Sequence, residues 1–290
     1  MSSHPNTTTS NCDNNDIEAE IADLERRLAE AKAKLSSSSK PLPTLPNKTP
    51  TSQATHFLLL LSDSALPLGS FAFSSGLESY LAHHKANLHP SSSRPSLSSF
   101  LPLSVSSYAS TTLPFVLAAH RDPSTSSLAY LDDTLDASII CTVGRRASVA
   151  QGRALLSIWE RSFSASLGST GGLGLGEYSA LLKRGDGKVS AHLAPLFGAV
   201  GRLVGLSLEQ TAYVFMLGHV KALVSAAVRA GVLGPYQAQK VLAGREVREL
   251  IGEVVEREWE TEVERAGQNV PVMDLWFGRH EVLYSRIFNS

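Results

Sequence analysis

With 290 residues, 43% of them apolar, the chain is long enough to bury one large core or two small ones. Its 26 Lys and Arg nearly cancel 27 Asp and Glu, so no chain-wide field draws it toward nucleic acid or an anionic membrane. The two cysteines, Cys12 and Cys141, belong to no C-x-x-C pair, which argues against a disulfide framework or a cysteine zinc site and suits a reducing compartment.

From Met1 to Asp16 the chain is rich in Asn, Thr and Ser. It lacks the apolar run of a secretory signal and the Arg of an organellar presequence, so it predicts a disordered start and a cytoplasmic location. Ile17, Ile21, Leu24, Leu28, Ala31 and Leu35 then recur at alternating spacings of four and three, with charged residues between them. That is a coiled-coil pattern over 17–35, too short to be robust in isolation. It reads equally as a solvated amphipathic helix or as a dimerisation zipper. Ser36 to Thr55 is a Pro/Ser linker, which divides the chain into an extension, 1–55, and a globular part, 56–290.

Inside the globular part, loop insertions are expected near 87–96 (NLHPSSSRPS) and over 164–190, which holds GSTGGLGLG and RGDGK. Elsewhere the periodicity is helical. Apolar residues recur every three or four positions from Leu128 to Phe163. Ser207 and Gln210 have capping-box spacing, and Gly231 stands where a helix C-cap belongs, giving a helix of roughly six turns. His219 and Lys221 interrupt its apolar run, so it reads as a buried helix rather than a membrane span. Gly234-Pro235 opens a further helix whose stripe runs through Val247, Leu250, Ile251, Val254, Val255, Trp259 and Val263. No alternating strand run stands out, and the fold class is all-α, a helical bundle.

Catalytic patterns are mostly missing. GGLGLG follows no apolar strand, and GDGKV lacks the first Gly and the Ser/Thr of a phosphate loop. Ser62, Asp63 and Ser64 read as turn formers; the competing reading is a helical hydrolase or lyase using Ser64, Asp63 and a histidine. His83, His84 and His89 form the one tight histidine cluster. Neighbouring residues on a helix diverge, so His83 and His84 are candidates for a surface nickel site only with help from elsewhere, and a solvated helix end is favoured. RHEVLY lacks the second histidine of H-E-x-x-H. No catalytic or cofactor-binding residue is assigned.

Four segments in order resemble the UreF family of urease accessory proteins: LLLSDSALPLGSFAFSSGLESYL at Leu59–Leu81, RRASVAQGRALL at Arg145–Leu156, the stretch Ala191–Leu242, and GRHEVLYSRIFNS at Gly278–Ser290. The resemblance covers Phe57 to Ser290 apart from the two insertions. At Gly144-Arg145-Arg146 the family more often has an acidic residue before Ala-Ser. What it implies is an all-helical domain that is not an enzyme, forms a homodimer, binds UreD/UreH, and recruits or regulates the GTPase UreG on apo-urease, with nickel as cargo and no tightly bound cofactor. On that reading, partner contacts fall on Asp63, Ser64, Pro67, Gly69, Glu78, Arg229, Tyr284, Arg286 and Phe288. Pro67 and Gly69 set a turn, with Leu77 and Tyr80 on the helix after it. Arg229 reads as a cation suited to a helix C-terminus, as a partner contact, or as an arginine donated to a GTPase. The apolar, aromatic tail from Tyr284 either folds back or orders against a partner.

Overall fold

The computed structural model describes residues 11–38, 52–86, 96–167, 173–185, 187 and 189–289, which fall into two units, Met1–Thr51 and Ser52–Ser290. No strand occurs among the described residues, and the fold is all-α.

Among the described residues of the first unit, a helix, α1, spans Asn11–Ser38. It begins ahead of the heptad pattern, inside the stretch expected to be disordered, because periodicity marks only the part of a helix that has an apolar face.

The second unit opens with α2, Gln53–Ser62, where the Ser52 hydroxyl accepts a hydrogen bond from the Thr55 amide at 3.2 Å. There follow α3 (Leu77–Ala86), α4 (Leu97–Arg121), α5 (Thr125–Ser138), α6 (Thr142–Ile158), α7 (Leu173–Arg184), α8 (Leu193–Leu203), α9 (Leu208–Arg229), α10 (Pro235–Leu242), α11 (Arg245–Glu258) and α12 (Val272–Arg279). The central element is α4, which packs against α5, α8, α9 and α11. Its crossing with α8 is close: a Cβ on Gly198 would lie 2.2 Å from the Val116 carbonyl oxygen, so only glycine fits there. Pro114, inside α4, has no N–H to return to Ser110, and the freed Ser110 carbonyl instead accepts from the Gly267 amide at 3.1 Å.

By length and composition α4 and α9 are each capable of crossing a membrane, but 67% and 61% of their most apolar stretches are buried within the unit. Their apolarity is accounted for by the core. The cap of α9 follows the sequence: the Ser207 hydroxyl accepts from the Gln210 amide and the Gln210 side chain accepts from the Ser207 amide, both at 3.0 Å, while Gly231 takes φ +73°.

Three expectations need correction. The stretch 164–190 is not a loop throughout, since α7 occupies Leu173–Arg184 and buries Leu175 and Tyr178. The glycines before and within it disguised the helical pattern. The run from Leu128 to Phe163 breaks at Ile139–Cys141 into α5 and α6, and the helix after Pro235 breaks at Ala243–Gly244 into α10 and α11, with Val263 in a separate 3-10 turn. Local periodicity survives both breaks because each pair of helices lays its stripe on the same core. The insertion near 87–96 lies almost wholly outside the described residues.

Candidate functional site

The segment from Ser62 to Tyr80 is a turn joined to a helix. The Asp63 carboxylate accepts from the Ala65 amide at 2.9 Å and the Ser62 hydroxyl donates to the Leu59 carbonyl at 3.0 Å, so both act as turn formers. Lys221 of α9 donates to the Ser62 carbonyl, tying the turn to the core. Gly69 sits at φ +72°, Asp63, Ser64 and Pro67 are exposed, and Leu77 and Tyr80 point inward.

Glu78 is the centre of the arrangement. It is buried on α3, and its carboxylate accepts from the Ile287 amide at 2.6 Å, the Phe288 amide at 3.2 Å and His280 Nε2 at 2.9 Å. The Asn289 amide donates to the Ala72 carbonyl at 2.8 Å. The C-terminal tail therefore folds back onto the domain and is held mainly through its backbone. Arg229 closes the clamp from the end of α9. Its guanidinium donates to the Phe71 carbonyl and lies 4.3 Å from the centre of the Phe288 ring, a cation–π contact. Phe288 is 4% exposed, whereas Ile287 is 63% exposed and Tyr284 and Arg286 face solvent. The structure thus joins Glu78, Arg229 and Phe288 in one contact set and leaves Tyr284 and Arg286 as its outer face.

A second polar cluster, unforeseen from sequence, lies behind α5. Asp132 is fully buried and accepts from three consecutive amides, Ser190 at 2.5 Å, Ala191 at 3.2 Å and His192 at 2.6 Å. Ala191 adopts φ +69°, a strained conformation for a residue with a Cβ, and its carbonyl would be 2.1 Å from a Cβ on Gly152. One helical turn on, Asp136 accepts from His192 Nε2 at 2.8 Å and from two nitrogens of Arg145. Burial pulls the Asp136 carboxyl upward, but the bonds from Arg145 and His192 outweigh it and hold it below the ordinary carboxylate range. Arg146 pairs with Glu281 near the tail. The two arginines that depart from the family's pattern thus both have partners within the chain. Nothing in the spacing of LDDTLD separates Asp132 from its acidic neighbours, and only the fold shows that Asp132 faces in.

Between the turn and the core runs a cleft of about 470 Å³ whose walls include Asp63, Ser64, Ser104, Tyr108, Cys141 and His219. The residues a hydrolase would need thus line one cavity. Among the described residues, however, no hydrogen bond joins Ser64 to a histidine. His219 shares a hydrogen bond with Ser104 at 3.1 Å and stacks on Tyr108 with ring centres 3.9 Å apart. Burial pushes its pKa down to about 3, against a partly opposing hydrogen bond to the Ser104 backbone, so it is a poor base at neutral pH.

This gives a pH prediction. Unfolded His219 takes up a proton below about pH 6.5 while the folded protein refuses one until about pH 3, so stability falls with pH through that window. The wild type is expected to lose about 1.4 kcal/mol more per pH unit below 6.5 than His219→Phe in urea titrations. Parallel curves for the two proteins would show that His219 carries no such penalty.

The histidines at the end of α3 are not a solvated end. His83 and His84 are half-buried, His84 Nδ1 lies 2.9 Å from the Tyr80 carbonyl, its ring packs on Tyr80, and His83 Nε2 is buried without a partner. His89 lies outside the described residues. No group of three or more metal-ligating side chains occurs among the described residues.

The fold and site define an all-helical protein whose candidate site is a tail clamped by a buried carboxylate and an arginine, with aromatic and aliphatic side chains left outward. The family model for UreF matches residues 92–246. A protein of Schizosaccharomyces pombe described as an uncharacterized urease accessory protein, UreF-like, is 39% identical over 243 residues, covering 83% of this chain and 100% of that protein. Urease accessory protein F of Oryza sativa subsp. indica is 33% identical over 79% of this chain and 82% of its own length. Urease accessory protein UreF of Arthrobacter sp. (strain FB24) is 30% identical over 79% and 94%. The chain belongs to the UreF family of urease accessory proteins.

Proposed function

We propose that this chain is a non-catalytic scaffold of urease maturation that works in the cytoplasm as a homodimer. It binds UreD/UreH and recruits or regulates the GTPase UreG on apo-urease, with nickel as the cargo of the complex rather than a resident cofactor. The family supplies the accessory role. The observation that supports binding of a partner is the tail, whose backbone is fixed by Glu78 while Tyr284 and Ile287 stand in solvent. Such a pre-ordered strip of aromatic and aliphatic side chains is the form an interface anchor takes, because little conformational freedom is left to lose on binding. The alternative role for Arg229, as an arginine offered to a GTPase, would require it to leave Phe71 and Phe288 first.

The test is co-expression with UreD/UreH, UreG and apo-urease. Tyr284→Ala combined with Ile287→Asp is expected to lower retention of UreD/UreH at least tenfold, a change of about 1.4 kcal/mol or more, while leaving the melting temperature unchanged, since both side chains are exposed. Equal retention by variant and wild type would overturn the assignment of this face.

A further inference from the structure

The helix Asn11–Ser38 lies outside residues 92–246 matched by the family model, and the role just proposed does not use it. Four of its large aliphatics are half out in solvent: Ile17 at 53%, Ile21 at 51%, Leu24 at 55% and Leu28 at 56% exposed. In the sequence they belong to a heptad register, with Ile21, Leu28 and Leu35 at the a positions and Ile17, Leu24 and Ala31 at the d positions. We propose that this row is covered by the same helix of a second copy of the chain, paired antiparallel.

Charge selects both the occupant and the direction. Glu18, Glu25 and Lys32 occupy the e positions, and Glu20, Arg27 and Lys34 the g positions. In a parallel pair each g residue meets the e residue five positions later on the other strand, so Glu20 faces Glu25 and Arg27 faces Lys32, each twice. Every one of these contacts is repulsive. In an antiparallel pair e faces e and g faces g. Aligning 17 with 35, 21 with 31, and 24 with 28 of the other copy uses all six core positions. It sets Glu18 against Lys32 and Glu20 against Lys34, each twice, leaving like charges only at Glu25 and Arg27 beside the two-fold axis. A shift by one heptad loses core layers. The opposed helix dipoles favour the same direction. With about 1.5 Å rise per residue, the two chains leave such a rod at opposite ends, roughly 40 Å apart. The paired helices would thereby hold two UreF-type domains at raised effective concentration.

The experiment uses the full-length chain with Cys12→Ser and Cys141→Ser. Two further versions, Ile21→Cys and Ala31→Cys, are distinguished by tags, mixed and mildly oxidised. Antiparallel pairing is expected to give the 21–31 mixed disulfide at least fivefold over either homodimer. Dominance of the 21–21 homodimer would overturn the proposal in favour of parallel pairing. Cross-linking no greater than that of an outward Ala19→Cys control would overturn self-pairing altogether. Because a cysteine in the core row can weaken the pair, a spin label on Glu18→Cys gives a second reading. The antiparallel rod places the two labels roughly 24 Å or more apart along the axis, whereas a much shorter distance, or no dipolar coupling, sinks the proposal.

Discussion

Asp132→Asn is expected to be the most damaging isosteric change in the chain, costing about 3 kcal/mol or more. One carboxylate takes three amides in a row, and an amide side chain turns one of its two acceptors into a donor facing a donor. The segment cannot escape to water. Residues 190–192 are buried or half-buried, with Ala191 already strained and its carbonyl wedged against Gly152. At roughly 2–4 °C per kcal/mol for a unit of this size, the melting temperature should fall by about 6–12 °C. A fall of under about 2 °C would mean that the three amides find other acceptors, and that Asp132 does not set the course of the chain into α8.

Glu78→Ala presents the opposite balance. The same number of hydrogen bonds is lost, but two of the donors belong to a segment whose neighbours Tyr284 to Arg286 and Asn289 are exposed, and they can peel away into solvent. Local release therefore wins over global destabilisation. The expected result is that exchange of the Ile287 and Phe288 amides accelerates about a hundredfold, corresponding to roughly 2.7 kcal/mol of local protection, while helix content is retained. If the tail is the anchor for UreD/UreH, its release also weakens that complex, because binding must then order the tail again. Unchanged protection of both amides would show that Arg229, Phe288 and the Asn289–Ala72 hydrogen bond hold the tail without Glu78.

The two variants also mark what could be read in advance. The turn at Ser62–Asp63 and both ends of α9 follow from signals within four residues of one another, whereas the same signals leave Leu77 and Tyr80 facing either inward or a partner. Such signals rest on backbone geometry and capping, which the local sequence carries in full. The sequence offers Glu78 and Arg229 as contacts for a partner protein, and only the fold shows what they touch within the chain. The tail that Glu78 grips lies more than two hundred residues away, and Arg229 meets Phe71 and Phe288 from opposite parts of the chain. Asp132 and Asp136 left no sequence signal, since a carboxylate facing the core and one facing water look alike on a helix. Glycines mask the pattern of the α7 helix in the sequence, and its burial against α5 supplies what propensity lacks.

The sequence by itself determined the all-α class, the UreF resemblance, the caps and the heptad row of the first helix, because each depends on short-range spacing or on the order of motifs. Only the tertiary structure decided that the tail folds back, that a buried carboxylate holds it, and that the arginines after Gly144 answer to Asp136 and Glu281. Those are contacts between distant segments, and which donor meets which acceptor is settled only when packing removes the water that would otherwise satisfy both.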